Sequence, residues 1–187
     1  MGSLPLEGVR VVDLTWVIAG PRAGRLLAFM GAEVIKIGSA RRPEFKAQVY
    51  NQSKLSCTLN ISTPEGLELA KRIVEVSDLV VDNFSSGAME RIGLGYEVLR
   101  ARKPDIVMVS SSGLGHSGPS KDFVGYGSLL QHYTGWNSMS GYPGRTIRGG
   151  LWADPWVAIE LAMVATAALD HRIRAGEGQY VDFSMAE

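Results

Sequence analysis

The chain has 187 residues; 19 Lys and Arg are balanced by 19 Asp and Glu, and 45% of the residues are hydrophobic. That length suits one domain or part of a larger one, and that apolar content excludes a disordered chain. Zero formal charge gives no electrostatic reason to expect a nucleic-acid or acidic-membrane partner, and a single cysteine, Cys57, rules out an internal disulfide framework.

Short β-branched runs alternate with helical segments along the chain. Val9 to Leu14 reads as a buried strand, followed by a turn at Ala19-Gly20-Pro21 and helical periodicity from Arg22 to Phe29. Gly31 ends that helix, and Glu33 to Ile37 is a second strand. Ser56 to Ile61 alternates like a third. Thr63-Pro64-Glu65-Gly66 then opens a helix with a capping threonine and Pro at the first helical position, with Leu67, Leu69, Ile73 and Val74 on its buried face. Asp78 to Asp82 and Ile106 to Ser111 are further strands, with a helix over Tyr96 to Arg102 between them. Strands alternating with helices predict βαβ units: an α/β, Rossmann-like parallel sheet with flanking helices. Residues from Gly113 to Gly150 are loop-rich, with one helix near Tyr126 to Tyr133. Asp154-Pro155 then starts a long helix running to Arg174, closed by Gly176, and Gln179 to Phe183 is a last short strand. A chain ending at Glu187, directly after that strand, is expected to be an incomplete domain.

The longest apolar stretch, Trp156 to Leu169, is too short to span a bilayer and contains Glu160. The first residues lack a basic segment followed by an apolar one, so no secretory signal is expected, and the expected location is the cytoplasm. Cys57 is expected as a small buried residue in its strand. His116, His132 and His171 are too scattered for metal-ligand spacing, so no metal site is expected. His171, beside Arg172 and Arg174, complements the dipole at a helix end.

Gly113-Leu114-Gly115-His116-Ser117-Gly118 fits G-x-G-x-x-G, and a strand precedes it. A dinucleotide fingerprint must also open a helix, with an acidic residue about 20 positions on. Here Pro119-Ser120-Lys121-Asp122 continues a loop and Asn137 is not acidic, so the motif reads as a glycine loop at the ligand-binding edge of the sheet. Asp154 carries two readings. As an N-cap its carboxylate accepts backbone N–H bonds. As a functional group it is an anion kept ionised by the helix N-terminus, reached past Gly149-Gly150, and able to attack an acyl carbon. The local residues leave both readings open.

Taken in order, several segments carry a resemblance. They are Leu6-Glu7-Gly8-Val9-Arg10-Val11-Val12-Asp13-Leu14, Ala19-Gly20-Pro21, Gly31 to Ile37, Asn51 with Lys54, Ser56 and Leu59, and Thr63-Pro64-Glu65-Gly66. Further along come Asp82-Asn83-Phe84, Arg91 to Tyr96, Gly113-Leu114-Gly115 with Gly118-Pro119, and Gly176 to Asp182. No one of these is diagnostic; their order along the chain is. The series resembles the class III CoA-transferase family, which includes formyl-CoA transferases, carnitine-CoA transferases and 2-methylacyl-CoA racemases.

The resemblance implies an enzyme that moves CoA between an acyl-CoA and a free carboxylic acid through an aspartyl anhydride and an aspartyl-CoA thioester. Asp154 falls at the position of the family's nucleophile. It implies CoA contacts at Val17 and Ile18 after the first strand and at Leu59, Asn60, Ile61 and Ser62 near the adenine. Asn83, Phe84 and Ser85 would follow the fourth strand, with Arg91 as a phosphate partner and Val124-Gly125-Tyr126-Gly127 facing the thioester. CoA is then a substrate, and no tightly bound cofactor is implied.

The sequence also departs from family patterns. Gly38-Ser39 stand where many members carry Glu and a basic residue, leaving Arg41 or Arg42 to substitute. Ile18 replaces the glutamine of formyl-CoA transferases. Tyr126 stands about where racemases place a histidine base, and a phenol is a poor base for α-proton abstraction, which favours transfer over racemisation. The four tryptophans, Trp16, Trp136, Trp152 and Trp156, are candidates for an apolar acyl pocket or for plain core packing. Family members are about twice as long, adding a small domain and a returning C-terminal segment, and form interlocked homodimers. Residues 1–187 are therefore expected to be one Rossmann-like CoA-binding domain, the N-terminal half of a longer module.

Overall fold

The computed structural model describes residues 4–42, 47–145 and 150–187. Six strands form one sheet: β1 (Arg10–Asp13), β2 (Glu33–Gly38), β3 (Leu55–Thr58), β4 (Leu79–Asp82), β5 (Val107–Ser112) and β6 (Tyr180–Ser184). Their spatial order is β3-β2-β1-β4-β5-β6, and every neighbouring pair is parallel. All six expected strands are present, most of their ends within one residue of the expected bounds; the third stops three residues early, at Thr58.

Alternation within the strands sends successive side chains to two cores. Val11, Leu79, Val81, Val107 and Val109 pack under α1 (Ala19–Phe29) and α8 (Ala153–Ala175). Val12, Val80, Ile106 and Met108 pack on the other face, under α3 (Pro64–Glu75), α4 (Ala88–Arg91) and α5 (Tyr96–Arg102). Because both faces are covered, the central strands read as continuous apolar runs. Three short helices, α2 (Ala47–Tyr50), α4 and α7 (Trp136–Met139), were not expected; four residues are too few to show periodicity. Helix α6 (Gly127–Tyr133) stands where a helix near Tyr126 to Tyr133 was expected.

Several local expectations are corrected. The first helix begins at Ala19, so Gly20 and Pro21 lie inside it; Pro21 sits in the first turn, where an N–H has no helical partner to lose. In α3, Thr63 caps Gly66 N–H at 3.2 Å as expected, but Leu69 is exposed. The buried positions are Gly66, Ala70 and Val74, one i, i+4 row. Cys57 is half-buried because β3 is an edge strand, and burial pushes its thiol up from its ordinary value.

The long helix α8 positions the site. Its lower end stops at Gly176, which adopts a left-handed φ of +72° and donates to Arg172 O at 2.8 Å. Arg172 donates to Asp105 O at 2.8 Å, pairs with the Asp105 carboxylate, and reaches Asp78 Oδ1 at 3.1 Å. These contacts fasten α8 to the N-terminal edge of the sheet and set the height of its first turn at the opposite edge. Among the described residues no helix is long and apolar enough to cross a membrane.

Candidate active site

The strand order runs outward in opposite directions from β1 and β4, so the turns following those two strands part to opposite faces. A cavity of about 470 Å³ opens there, at the C-terminal ends of the strands. The turn after β1 contributes Trp16, Val17 and Ile18; that after β4 contributes Asn83, Phe84 and Ser85. Val124, Gly125 and Tyr126, preceding α6, form the third wall, and Asp154 at the start of α8 the fourth.

The β1 turn is held under strain. Val17 has a φ of +70°, a left-handed conformation costly for a β-branched residue. The side chain of Asn83 clasps the preceding residue from both sides: Trp16 N–H donates to Oδ1 and Nδ2 donates to Trp16 O, each at 2.8 Å. Asn83 therefore spends its amide on joining the two turns. Below the turn, Asp13 accepts from Thr15 N–H at 2.9 Å and from Lys54 Nζ at 2.7 Å, with Lys36 Nζ at 3.6 Å. Lys54 also donates to Pro21 O, and Lys36 to Thr15 O. Burial alone would push Asp13 up, but the two ammonium groups more than offset it, and its carboxyl stays below the ordinary range.

Asp154 is not an N-cap. Trp152 holds that position, and Asp154 lies in the first turn, 7% exposed, with its carboxylate turned to the cavity. Burial raises its pKa, while the Gly127 N–H bonded to the carboxylate opposes the rise. The cap reading thus gives way to a buried carboxylate at the wall of the cavity. Gln131 of α6, 3% exposed, holds the helix entry: it accepts from Ala153 N–H at 3.4 Å and donates to Gly150 O at 3.0 Å. Sequence reasoning missed Gln131; its one signal is a polar residue following Leu130 on the packed side of α6.

Gly127 matters for space. A methyl group there would overlap Asp154 Oδ1 and lie 2.9 Å from its Cγ. Gly127→Ala is expected to turn the carboxylate away and lower any Asp154-dependent reaction by about a hundredfold, the scale for an ångström of misplacement. Steady-state rates beside thermal melts would check this; a variant with parental rates would show that the carboxylate tolerates the shift.

The structure sorts the remaining candidates. Arg42 lines the cavity with its guanidinium 3.1 Å from the centre of the Trp16 ring, and Lys121, not singled out in the sequence, joins it. Arg41 is exposed and outside the lining. Leu59, Asn60, Ile61 and Ser62 lie beyond β3, away from the cavity, where Leu59 and Ile61 pack on the same apolar cluster as Phe84. Arg91 on α4 donates to Ser86 O at 3.3 Å and is also outside the lining. Trp136 and Trp152 stack at 4.1 Å and, with Trp156, line a separate cavity of about 400 Å³; only Trp16 belongs with Asp154. Gly149 lies outside the described residues.

The glycine loop 113–118 opens no helix; Asp182 instead accepts His116 N–H at 2.8 Å and the Ser117 hydroxyl at 3.2 Å. Among the described residues no group of three or more His, Cys, Asp or Glu side chains comes together as a metal site.

Asp82, fully buried beneath the β4 turn, is, after Asp154, a second carboxyl raised by burial. Burial raises it to about 7, against bonds from the Ser110 hydroxyl and Phe84 N–H, and Glu90 adds to the rise. A folded value above the ordinary 3.8 means stability present at low pH and lost as pH rises through about 7. Asp82→Asn, neutral throughout, is expected to gain on the parent protein by about 2 kcal/mol between pH 5.5 and 8. Urea midpoints at both pH values measure this; an advantage independent of pH would place the carboxyl's titration elsewhere.

A family model described as CoA-transferase family III matches residues 6–187. The succinate–glutarate CoA-transferase of Agrobacterium fabrum is 36% identical, aligning 98% of this chain with 51% of that protein. The succinyl-CoA–D-citramalate CoA-transferase of Chloroflexus aurantiacus is 39% identical over 98% of this chain and 50% of its own. The crystal structure of a CAIB/BAIF family protein from Brucella suis superposes with a TM-score of 0.90 at 31% identity, covering 99% of this chain and 54% of that one. A Serratia marcescens short-chain dehydrogenase/reductase mutant reaches 0.52 at 14% identity, a likeness of fold alone. The chain spans about half the length of the curated relatives it matches. With the family model matched nearly end to end and a crevice built on the same all-parallel sheet, this chain belongs to CoA-transferase family III.

Proposed function

We propose that the protein moves CoA between an acyl-CoA and a free carboxylate, with Asp154 as the covalent nucleophile. The observation that carries this reading is one buried carboxylate aimed into the switch-point cavity, steadied by the Gly127 N–H. In the first step an Asp154 oxygen attacks the thioester carbonyl carbon, the C–S bond breaks, and CoA leaves as thiolate, giving a mixed anhydride. The thiolate then attacks the Asp154 carbonyl and releases the first acid as a carboxylate. The acceptor carboxylate attacks the carbonyl of that aspartyl thioester and expels CoA thiolate, giving a second mixed anhydride; the thiolate then attacks the acceptor's acyl carbon, forming the new acyl-CoA and releasing Asp154 as carboxylate. No step transfers a proton, so the site needs a placed, ionised carboxylate rather than a general base.

Val17, Ile18, Asn83, Phe84, Ser85 and Val124 to Tyr126 would wall the pantetheine arm, with Gly127 behind the nucleophile. Leu59 to Ser62 and Arg91, farther along the same edge, would take the nucleotide end. Arg42 and Lys121 give the cavity a positive rim suited to anionic substrates. The named relatives act on succinate, glutarate and citramalate, and dicarboxylic acids are the class we assign here. In this reading the whole protein adds a small domain and a returning segment, and pairs as an interlocked homodimer.

Intact-mass spectrometry after mixing the chain with succinyl-CoA and related thioesters, with hydroxylamine as trap, tests the assignment. The expected adduct maps to Asp154 and its formation releases CoA. Labelling of another carboxylate, or solvent deuterium entering the acyl α-carbon with no adduct, overturns it.

A further inference from the structure

Five hydroxyl side chains are buried among the described residues: Thr15, Ser77, Ser110, Ser111 and Ser112. Three are engaged within the protein. Thr15 bonds Asp13, Ser77 donates to Ile73 O at 2.7 Å, and Ser110 bonds Asp82. Ser111 and Ser112, 1% and 8% exposed, have no hydrogen-bond partner for their Oγ, and both line the cavity that contains Asp154; the Oγ of Ser184 on β6 is buried and unpaired too, but lines the neighbouring cavities. A buried hydroxyl left unpaired is destabilising, so two adjacent ones confined to the ligand cavity are explained by a ligand that bonds them.

Strand alternation separates their tasks. Ser111 follows Val107 and Val109 on the face of β5 beneath α8, the side from which Asp154 enters the cavity. Ser112 falls on the opposite face with Ser110, toward the β4 turn. Resting on the CoA-transfer reading, we propose that the Ser111 hydroxyl donates a hydrogen bond to the carbonyl oxygen of the bound acyl thioester. That bond orients the carbonyl carbon toward the Asp154 carboxylate and strengthens as negative charge gathers on the oxygen during attack. Ser111 is thus a substrate-binding residue of the acyl end, and one that a hydroxyl-free side chain cannot replace.

The test is titration calorimetry of the parent protein, Ser111→Ala and Ser111→Thr with acetonyl-CoA and propyl-CoA, unreactive ligands that differ by one carbonyl oxygen. The parent protein is expected to favour acetonyl-CoA by roughly three- to tenfold, the scale of one net hydrogen bond. Ser111→Ala should lose that preference, keep its affinity for propyl-CoA, and melt at or above the parental temperature; Ser111→Thr should restore the preference. A preference that survives in Ser111→Ala, or no preference in a parent protein that binds CoA, overturns the Ser111 assignment and leaves the transfer reading standing. A marked drop in melting temperature in Ser111→Ala shows a structural hydroxyl and also overturns it. Failure of the parent protein to bind either ligand or CoA overturns both.

Discussion

Asp154→Asn is expected to lower CoA transfer by more than about a thousandfold, the scale seen when a covalent nucleophile is removed. Its affinity for CoA should stay within about tenfold. The side-chain oxygen of Asn can still accept from Gly127 N–H, so the cavity keeps its shape; what is lost is the charged oxygen that attacks the acyl carbon. The parent protein's rate should rise with pH along an acid limb displaced above the ordinary carboxyl value of 3.8, because burial raises the Asp154 pKa and only the ionised form attacks. Steady-state transfer with calorimetric CoA binding separates the two effects. Equal loss of rate and of binding would mean that Asp154 holds the site together rather than reacting in it.

Asp13→Asn should cost about 3–5 kcal/mol of folding free energy, the range for removing one charge from a buried ion pair. Asp13, Lys36 and Lys54 have side-chain exposures of 1–3%, so the carboxylate is a close counter-charge for two ammonium groups in low dielectric. The amide would keep the Thr15 bonds and lose that charge. Since the folded Asp13 pKa lies below its ordinary value, its contribution is present above the unfolded pKa and disappears as pH falls through the folded one. Urea unfolding at pH 7, where the contribution is full, and at pH 3, below the ordinary carboxyl value of 3.8, is the measurement. A loss under about 1 kcal/mol at pH 7 would show the cluster to be balanced without Asp13. The effect should reach the ligand as well, because the same lysines hold Thr15 O and Pro21 O on either side of the strained Val17.

The parallel sheet was legible in the sequence because central strands covered on both faces become short apolar runs without alternation, as in Leu79 to Val81 and Ile106 to Val109. Helix α8 was legible for the same kind of reason: a polar start, a long apolar body and a terminal glycine. Edges were harder. Cys57 on β3 was expected buried and is half-buried, since periodicity shows which face a residue takes but not that no strand lies beyond it. Leu69 likewise fits a helical stripe but falls outside the row that meets the sheet.

At the site, the order of short motifs along the chain placed Asp154 as the nucleophile of the resembled family, but its local sequence matched a helix cap equally well. Only the folded chain distinguishes them, because the difference lies in whether the carboxylate turns back to its own helix or across to Gly127, 27 positions earlier in the chain. Gln131, Lys121 and Ser111 were silent in the sequence for a related reason. A buried amide, an exposed lysine and a strand serine have no local pattern, and their roles come from what α6, the loop before it and β5 bring beside α8.

The sequence by itself determined the alternation of strands and helices, the family resemblance and the identity of the candidate nucleophile, all of which rest on composition and order along the chain. The tertiary structure decided the strand order, and with it where the crevice opens. It decided that Asn83 serves the backbone of Trp16, that three of the four tryptophans line a different cavity, and that the unpaired hydroxyls of Ser111 and Ser112 fall in the cavity of Asp154. Each of these is a contact between residues far apart in the chain, and such contacts exist only once the sheet has set its strands side by side.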